Sequence, residues 1–386
     1  MSEQTGGIWW RRPGEQQVNR LELAEEGDVV FRFAPFQTAP GCPSLRLKGR
    51  TVAADFPKRG TVTALPEGSC EGASQQEHEQ TVQQALDAIE AGALDKVVVS
   101  RSEFWETQRT PEEVFQAKCA AYPDAFVFLF AHASAGVWIG ATPEVLLVRT
   151  GEQFETTALA GTKADAQRDW NDKERHEQAL VADFIEQNVR GRNASDVRIG
   201  EAKSMAYGPL QHLQSKITFR SEEDVDFWLE ALHPTPAVGG TPRDKALDFI
   251  ANHESGERRY YTGFLGTTEG DRAAFYVNLR CMQCFANGFR LFAGGGIVEG
   301  SDPVKEWKET RDKIESIRAG IAAHGFAGLV HGANGAFQSA LKFTLGDLRV
   351  LFTAGFTLLT TLSLLPLLAL LTGLVLGSLL ALAALQ

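Results

Sequence analysis

The chain contains little cysteine, no excess of positive charge and no internal repeat. Its 386 residues include only five cysteines, which fits a reducing cytoplasm better than a disulfide-linked secreted scaffold. Lys and Arg total 38 against 49 Asp and Glu, giving a formal net charge of −11, so nucleic-acid binding is not expected. No period of about 20 to 50 residues recurs, which excludes solenoids and propellers. These absences favour a cytoplasmic enzyme domain.

Cys281 and Cys284 have the spacing of a redox or zinc pair, but the chain offers no second pair of this kind. The apolar, strand-like sequence that precedes them favours a buried structural pair. We therefore do not expect a zinc or disulfide centre at this position.

The two ends of the chain differ in hydrophobicity. Residues 1–7 lack the basic and apolar segments of a secretory signal. Residues 350–386 contain no charged residue and are rich in leucine, and this run exceeds the roughly 20 residues that cross a bilayer as a helix. Lys342 and Arg349 lie just before it and would keep the preceding domain cytoplasmic, anchored to the inner membrane. A transmembrane anchor and a misjoined or frameshifted reading frame both account for this tail.

The order of apolar patterns predicts an α+β fold with large antiparallel sheets, because strands and helices mix without regular βαβ alternation. Residues 1–75 are interpreted as N-terminal strands and loops of the catalytic domain, and residues 76–324 as its core. Residues 325–349 are interpreted as a glycine-rich linker and residues 350–386 as a hydrophobic helical tail. Helices are predicted near residues 75–92, 172–188 and 303–324, and strands near 29–33, 96–101, 125–130, 136–140, 144–148, 215–219, 261–266, 274–284 and 288–293.

Lys96 and Glu144 are the most informative pair of residues in the chain. Lys96 begins a run of β-branched residues, and Glu144 follows another apolar run. A lysine and a glutamate on opposite faces of one ligand can act as general base and general acid. The base must be partly neutral, which requires a pKa lowered from about 10.4, and the acid must keep its proton in a desolvated or like-charged pocket. The alternatives are a solvated lysine and a glutamate in an ordinary turn.

Two predicted helices carry acidic pairs with a spacing of three residues, Glu174 with Glu177 and Glu306 with Glu309. Residues at this spacing share a helix face. Convergence of the two faces would suit Mg²⁺, which takes one or two carboxylates together with water and ligand oxygens. The alternative is a surface ion pair between Glu309 and Lys313, one helical turn apart.

Three further features could contact a ligand. Residues 294–296 are consecutive glycines, interpreted as a turn ahead of a helix that starts at Asp302 and Pro303, where backbone N–H groups favour an anion. Gly161 offers a second close backbone approach. Arg280 ends an apolar strand, where an inward guanidinium would require a carboxylate partner. For the glycines, the alternative is a tight turn without a ligand. His212 begins a strand-like run, and the alternative there is a structural histidine.

These motifs, in this order over roughly residues 75–324, resemble the chorismate-utilising enzymes, and among them the isochorismate synthases. The resemblance implies that Lys96 activates the water that attacks C2 of chorismate. It implies that Glu144 protonates the hydroxyl group that leaves C4. The implied magnesium ligands are Glu177 and Glu309 directly, and Glu174 and Glu306 through water.

The resemblance also implies the fold and the rest of the site. The expected fold is a sandwich of two large antiparallel β-sheets with helices outside and the site in a cleft. The implied substrate-binding residues are Gly161, His212, Arg280, Lys313 and the backbone of Gly294, Gly295 and Gly296.

The implied activity is a reversible, Mg²⁺-dependent isomerisation of chorismate to isochorismate, for menaquinone or siderophore biosynthesis. Anthranilate-forming relatives lack a lysine at the position of Lys96. The stretch from His233 to Val238 differs from that of aminodeoxychorismate and salicylate synthases. The alternatives are a salicylate synthase, which also releases pyruvate, and a membrane-tethered, non-catalytic chorismate-binding protein.

Overall fold

A computed structural model describes residues 6–63, 65–69, 72–163, 165, 167–192, 194–207, 210–319 and 321. The predicted linker and hydrophobic tail, residues 325–386, lie outside the described residues, so membrane attachment stays a prediction. Across the described ranges, no helix combines the length and the apolar character needed to cross a lipid bilayer.

The described part of the chain alternates between strands and a smaller number of helices. The strands are β1 (Gly7–Arg11), β2 (Val18–Leu23), β3 (Val29–Ala34), β4 (Leu45–Ala54), β5 (Lys96–Glu106), β6 (Phe126–His132), β7 (Gly136–Thr142), β8 (Val145–Thr150), β9 (Gln153–Lys163), β10 (Ser195–Ile199), β11 (Lys203–Tyr207), β12 (Leu210–Arg220), β13 (Gly240–Thr241), β14 (Phe264–Glu269), β15 (Arg272–Val277), β16 (Cys281–Phe285) and β17 (Gly288–Ile297). The helices are α1 (Gln75–Glu90), α2 (Pro111–Ala121), α3 (Asp172–Arg190), α4 (Val225–Leu232), α5 (Arg243–His253) and α6 (303–319).

The strands form one continuous antiparallel sheet. Its order is β13-β5-β17-β16-β7-β6-β1-β2-β4-β3-β14-β15-β8-β9-β12, and β11 and β10 share the remaining edge of β12. The predicted antiparallel α+β architecture is confirmed. The expectation of two separate sheets is not met, because β1 to β4 from the N-terminal segment lie in the middle of the strand order and connect its two halves through hydrogen bonds with β6 and β14. Nothing in the apolar pattern of single strands reveals such joining.

The sheet bends over an aromatic core. Phe33 on β3 stacks on Phe130 of β6, with ring centroids 4.2 Å apart, although β1, β2 and β4 separate the two strands in the sheet order. Phe33 also stacks on Tyr260 at 4.4 Å, and Phe126 stacks on Tyr276 at 4.4 Å. The two halves of the curved sheet therefore face each other across an apolar interior built largely of aromatic rings.

The helices cover the outer faces of this sheet. Helix α3 buries Val181, Ile185 and Val189, spaced four residues apart on one stripe, in a cluster shared with β9, β12 and α4. Helices α2 and α6 cover β6, β7, β16 and β17, and helices α1 and α5 cover β5. Helices α3 and α6 therefore pack against different parts of the sheet.

Most of the predicted elements are present, with two instructive differences. Helices α2, α4 and α5 were not predicted, since each is short. The strand predicted over residues 274–284 is two strands, which break at Arg280 with a left-handed φ of 50°. Cys281 and Cys284 are both buried and free, in agreement with the structural interpretation. Asp302 caps α6 as predicted, accepting a hydrogen bond from the backbone N–H of Lys305 at 2.9 Å.

Replacement of Phe33 by alanine should test the bent-sheet core. We expect Phe33→Ala to lower the free energy of unfolding by about 3–5 kcal/mol, because a ring that packs against both halves of the sheet is removed and leaves a cavity. Leu23→Ala is the control, since Leu23 is 68% exposed and its loss should change stability by about 0.5 kcal/mol or less. Chemical denaturation followed by tryptophan fluorescence measures both. Equal effects of the two substitutions would contradict the described packing.

Candidate active site

A cleft of about 730 Å³, including part of its open mouth, lies between β9, β12, β17 and the loop after β7. Most of the residues predicted from the sequence line it. They are Glu144, Gly161, Glu177, His212, Arg280, Gly294, Gly296 and Lys313. The remaining predicted residues (Lys96, Glu174, Gly295, Glu306 and Glu309) lie behind this wall or beside it.

Lys96 is completely buried at the start of β5 and lies directly behind the wall of the cleft. Its Nζ is 3.1 Å from Oε1 of Glu177, which lines the cleft from α3 and is 14% exposed. A buried ammonium requires a compensating charge, and Glu177 supplies it. The sequence placed Lys96 at the start of an apolar strand and Glu177 on a helix, but did not show that the two residues pair.

Glu144 lies between β7 and β8 with 2% of its surface exposed. Burial raises the pKa of its carboxyl group to about 8, and the positive charge of Lys96 opposes that rise only in part. Glu144 therefore holds its proton at neutral pH, in the desolvated pocket that its proposed role requires. The electrostatic influence of Lys96 on Glu144 also indicates that the two groups are neighbours.

The three consecutive glycines form part of β17 and not a turn, which corrects the prediction. They pair with Val98, Val99 and Ser100 of β5. Because these glycines lack side chains, carboxylates of the neighbouring helices can approach this strand closely. A Cβ atom at Gly296 would lie 2.0 Å from Oε1 of Glu177, and one at Gly295 would lie 3.0 Å from Oε2 of Glu306. Gly294 and Gly296 face the cleft, whereas Gly295 faces α6.

His212 connects two elements of the cleft wall. Its Nδ1 is 3.2 Å from the carbonyl oxygen of Gly161, and its Nε2 is 3.2 Å from Nη2 of Arg280. Burial, together with the charges of Arg280 and Lys313, lowers the pKa of His212 to about 3. The neutral ring therefore donates from Nδ1 to Gly161 and accepts at Nε2 from Arg280, which is the tautomer that satisfies both contacts.

Two cations face the cleft. Arg280 donates to Oγ of Ser316 at 2.8 Å as well as to His212, and its charge also acts on Glu309. Lys313 donates to the carbonyl oxygen of Gly294 at 2.8 Å and is 2.8 Å from Oε1 of Glu309. Hydrogen bonds to a histidine and a serine were not expected for Arg280 from the sequence. Both cationic groups lie where an anionic ligand in the cleft would meet them.

Helices α3 and α6 meet at an ion pair. Nζ of Lys173, on α3, is 2.5 Å from Oε1 of Glu306 on α6, and Glu306 is 2% exposed. Burial and the charge of Glu309 raise the pKa of Glu306. Desolvation opposes ionisation of Glu309, but Lys313, Lys173 and Arg280 outweigh it and lower the pKa of Glu309. The convergence of the two helices, which the sequence could not show, is present.

Glu174 has a structural task in addition to any ligand role. It completes the capping box of α3, where the backbone N–H of Asn171 donates to its Oε2 at 3.1 Å, and it pairs with Arg168. A Cβ atom at Gly161 would lie 3.0 Å from the carbonyl oxygen of Glu174, so the glycine lets β9 approach the first turn of α3. Glu174 thus fixes the start of the helix that carries Glu177.

The four glutamates of α3 and α6 have the ligand chemistry that a hard divalent cation requires. All four carboxylates offer oxygen, the type of ligand that Mg²⁺ prefers. Oε2 of Glu306 is buried without a well-formed hydrogen bond, which leaves a lone pair available to a cation. Each carboxylate also pairs with a lysine or arginine, and within the described part of the chain no three acidic, histidine or cysteine side chains form a chelating group.

No sequence signal identified the aromatic and apolar wall of the cleft. Tyr261 and Phe292 stack with ring centroids 5.3 Å apart and both line the cleft. Ala237 and Val238, in the proline-rich stretch that distinguished the family members, also line it. Core and ligand-facing apolar residues share the same patterns, so only the position of the cleft separates them.

The sequence profile of the chorismate-binding enzymes matches residues 53–322. The salicylate biosynthesis isochorismate synthase of Pseudomonas aeruginosa is 32% identical over 337 residues, which cover 83% of this chain and 69% of that protein. Isochorismate synthase MenF of Escherichia coli is 32% identical over 253 residues, 62% of this chain and 58% of that enzyme. The solved structure of MenF shares the fold, with a TM-score of 0.69, 23% identity and coverage of 83% of this chain and 90% of that one.

The raised pKa of Glu144 predicts a pH-dependent stability. The folded protein binds a proton at Glu144 that the unfolded chain, with the ordinary pKa of 4.5, has released. Stability should therefore fall as pH rises from about 4.5 to about 8, by at most about 1.4 kcal/mol per pH unit, and then level off. Glu144→Gln should remove this slope. Denaturation curves across this pH range compare wild type, Glu144→Gln and the exposed control Glu26→Gln, and an unchanged slope in Glu144→Gln would contradict the assignment.

Proposed function

We propose that this chain, which belongs to the family of chorismate-binding enzymes, is an isochorismate synthase that isomerises chorismate reversibly with the help of Mg²⁺. The observation that carries the proposal is the environment of Lys96 and Glu144. A fully buried lysine and a protonated, buried glutamate adjoin one cleft, and the cleft also presents two cationic side chains. That combination suits acid–base chemistry on a small, doubly anionic substrate.

Glu144 is the general acid in this mechanism. Because its pKa is about 8, it carries a proton at neutral pH and can give it to the hydroxyl group that departs from C4 as water. Lys96 is the general base and, in its neutral form, takes a proton from the water that adds at C2. One water enters and one leaves, so substrate and product have the same composition. The reverse reaction uses the same two groups with exchanged roles.

The cations of the cleft bind the carboxylates of chorismate. Arg280 offers a planar guanidinium and Lys313 an ammonium, and both line the cleft. Neutral His212 orients Arg280 by accepting one of its N–H groups. Because Gly294 and Gly296 lack side chains, the substrate can approach the backbone of β17 closely. Gly161 serves the same purpose on β9.

The residues that would hold Mg²⁺ are Glu177 and Glu309 directly, with Glu174 and Glu306 acting through water. When bound, the ion would fix a substrate carboxylate and take up negative charge as the ring rearranges. The role of this chain is to bring carboxylates from α3 and α6 within reach of each other. The capping box at Asn171 and Glu174 sets the first turn of α3, from which Glu177 projects one turn later.

Incubation of the purified chain with chorismate and Mg²⁺ should yield isochorismate, an isomer of unchanged mass, resolved by chromatography. Lys96→Met should lower kcat by about 100-fold or more, because the base is lost while the cations that bind substrate remain. Lys216→Met is the matched control. It removes a lysine that pairs with Glu155 at 2.6 Å on the surface, where the side chain is 60% exposed, and should leave kcat unchanged.

The same assay separates the alternatives. Release of pyruvate together with fluorescent salicylate would identify a salicylate synthase. Absence of turnover in a folded wild-type protein with Mg²⁺ would favour a non-catalytic chorismate-binding protein. Full turnover by Lys96→Met would remove Lys96 as the base.

Chelation should test the metal requirement. Treatment with EDTA should abolish turnover and added Mg²⁺ should restore it, because the carboxylates of α3 and α6 would lose and regain their divalent ion. Glu309→Gln should raise the Mg²⁺ concentration needed for half-maximal turnover by about tenfold or more. Glu315→Gln, on the same helix and 57% exposed, should leave that concentration unchanged. Turnover that is indifferent to EDTA would contradict a metal site on these helices.

A further inference from the structure

Lys173 lies at the point where helices α3 and α6 meet. It is the second residue of α3, next to Glu174, and its ammonium is 2.5 Å from Oε1 of Glu306 on α6. The charges of Glu306, Glu309 and Glu177 all act on this amine. Lys173 therefore pairs with one carboxylate of the candidate cation site and lies within electrostatic reach of two others.

The three carboxylates require positive charge between them. Carboxylates close together in a partly desolvated place repel each other, and Glu306 is almost wholly buried. Glu177 and Glu309 have partners of their own, Lys96 at 3.1 Å and Lys313 at 2.8 Å. Among the cations described at this site, Lys173 is the one that lies at the junction and pairs with the most deeply buried of the three acids.

Lys173 also differs from its neighbours in its exposure to solvent. Lys96 is fully buried. Lys313 is 15% exposed and is held by the carbonyl oxygen of Gly294. The side chain of Lys173 is 28% exposed, and its flexible four-carbon stem lets the ammonium reach water while α3 stays in place.

We propose that the ammonium of Lys173 occupies the cation position between α3 and α6 in the cation-free protein, and that a divalent ion displaces it into solvent. Lys173 is thus an internal counter-ion that keeps the acidic cluster assembled before Mg²⁺ arrives. This inference rests on the divalent-ion site of the proposed function. It adds a residue that competes with the ion and does not bind it.

The affinity for Mg²⁺ alone, without chorismate, tests the competition. Isothermal titration calorimetry should show that Lys173→Met binds Mg²⁺ about tenfold or more tightly than wild type, because the competing charge is gone. Lys308→Met is the matched control, since it removes the same charge from the exposed face of α6 and should stay within about twofold of wild type. Lys173→Arg, which keeps the charge, should bind no more tightly than wild type.

The displacement itself has a separate readout. Lysine-selective acetylation followed by peptide mass spectrometry should show Lys173 protected without Mg²⁺ and several-fold more reactive with saturating Mg²⁺, whereas Lys308 should react equally in both. The melting temperature of Lys173→Met should be lower than that of wild type without Mg²⁺ and recover when Mg²⁺ is added, since the ion then balances the carboxylates. If Lys173→Met does not fold without Mg²⁺, recovery of folding on its addition supports the same conclusion.

Three results would overturn the inference. They are equal or weaker Mg²⁺ affinity in Lys173→Met, unchanged reactivity of Lys173 on Mg²⁺ binding, and a melting temperature that Mg²⁺ does not restore. The proposed function fails on a different measurement, the absence of isochorismate from wild type with chorismate and Mg²⁺. A wild type that makes isochorismate while Lys173→Met gains no affinity would overturn the exchange alone.

Discussion

The ion pair between Lys96 and Glu177 is the interaction around which the site is built. An unpaired ammonium with no exposed surface would cost several kcal/mol, so α3 must deliver a carboxylate to the start of β5. The approach passes β17 at Gly296, where even a methyl group would overlap Oε1 of Glu177. One buried charge therefore constrains a strand, a helix and a glycine that are far apart in the sequence.

Two carboxylates of the same cleft have different surroundings. Glu177 has Nζ of Lys96 at 3.1 Å and partial contact with water. Glu144 is more deeply buried, and the same lysine only partly offsets the cost of desolvation. The arrangement therefore places a protonated carboxyl group close to a lysine–glutamate ion pair within one small volume.

The sequence indicated which residues line the cleft better than how the cleft is assembled. Lys96, Glu144 and the spaced acidic pairs are visible because each breaks or extends a local apolar pattern. Periodicity identifies the buried face of a helix but not the helix it meets, so the contact between Lys173 and Glu306, 133 residues apart, could not be predicted. The glycines of β17 suggest a turn because glycine favours turns, whereas in this fold they serve close approach within a strand. The unbroken strand order likewise depends on pairings between distant segments.

The acids and the cations of the cleft are positioned by different means. Glu177 and Glu309 project from regular helices, whose apolar stripes fix their rotation against the sheet. Arg280 instead lies where β15 ends and β16 begins, in a left-handed conformation that costs a non-glycine residue about 1 kcal/mol or more. Its contacts with His212 and Ser316 help to maintain that conformation. Because the strand is interrupted at this point, Arg280 faces the cleft although it lies within an apolar run of the sequence. Since a regular strand would pair through this point, the irregular backbone is what gives the cleft its guanidinium.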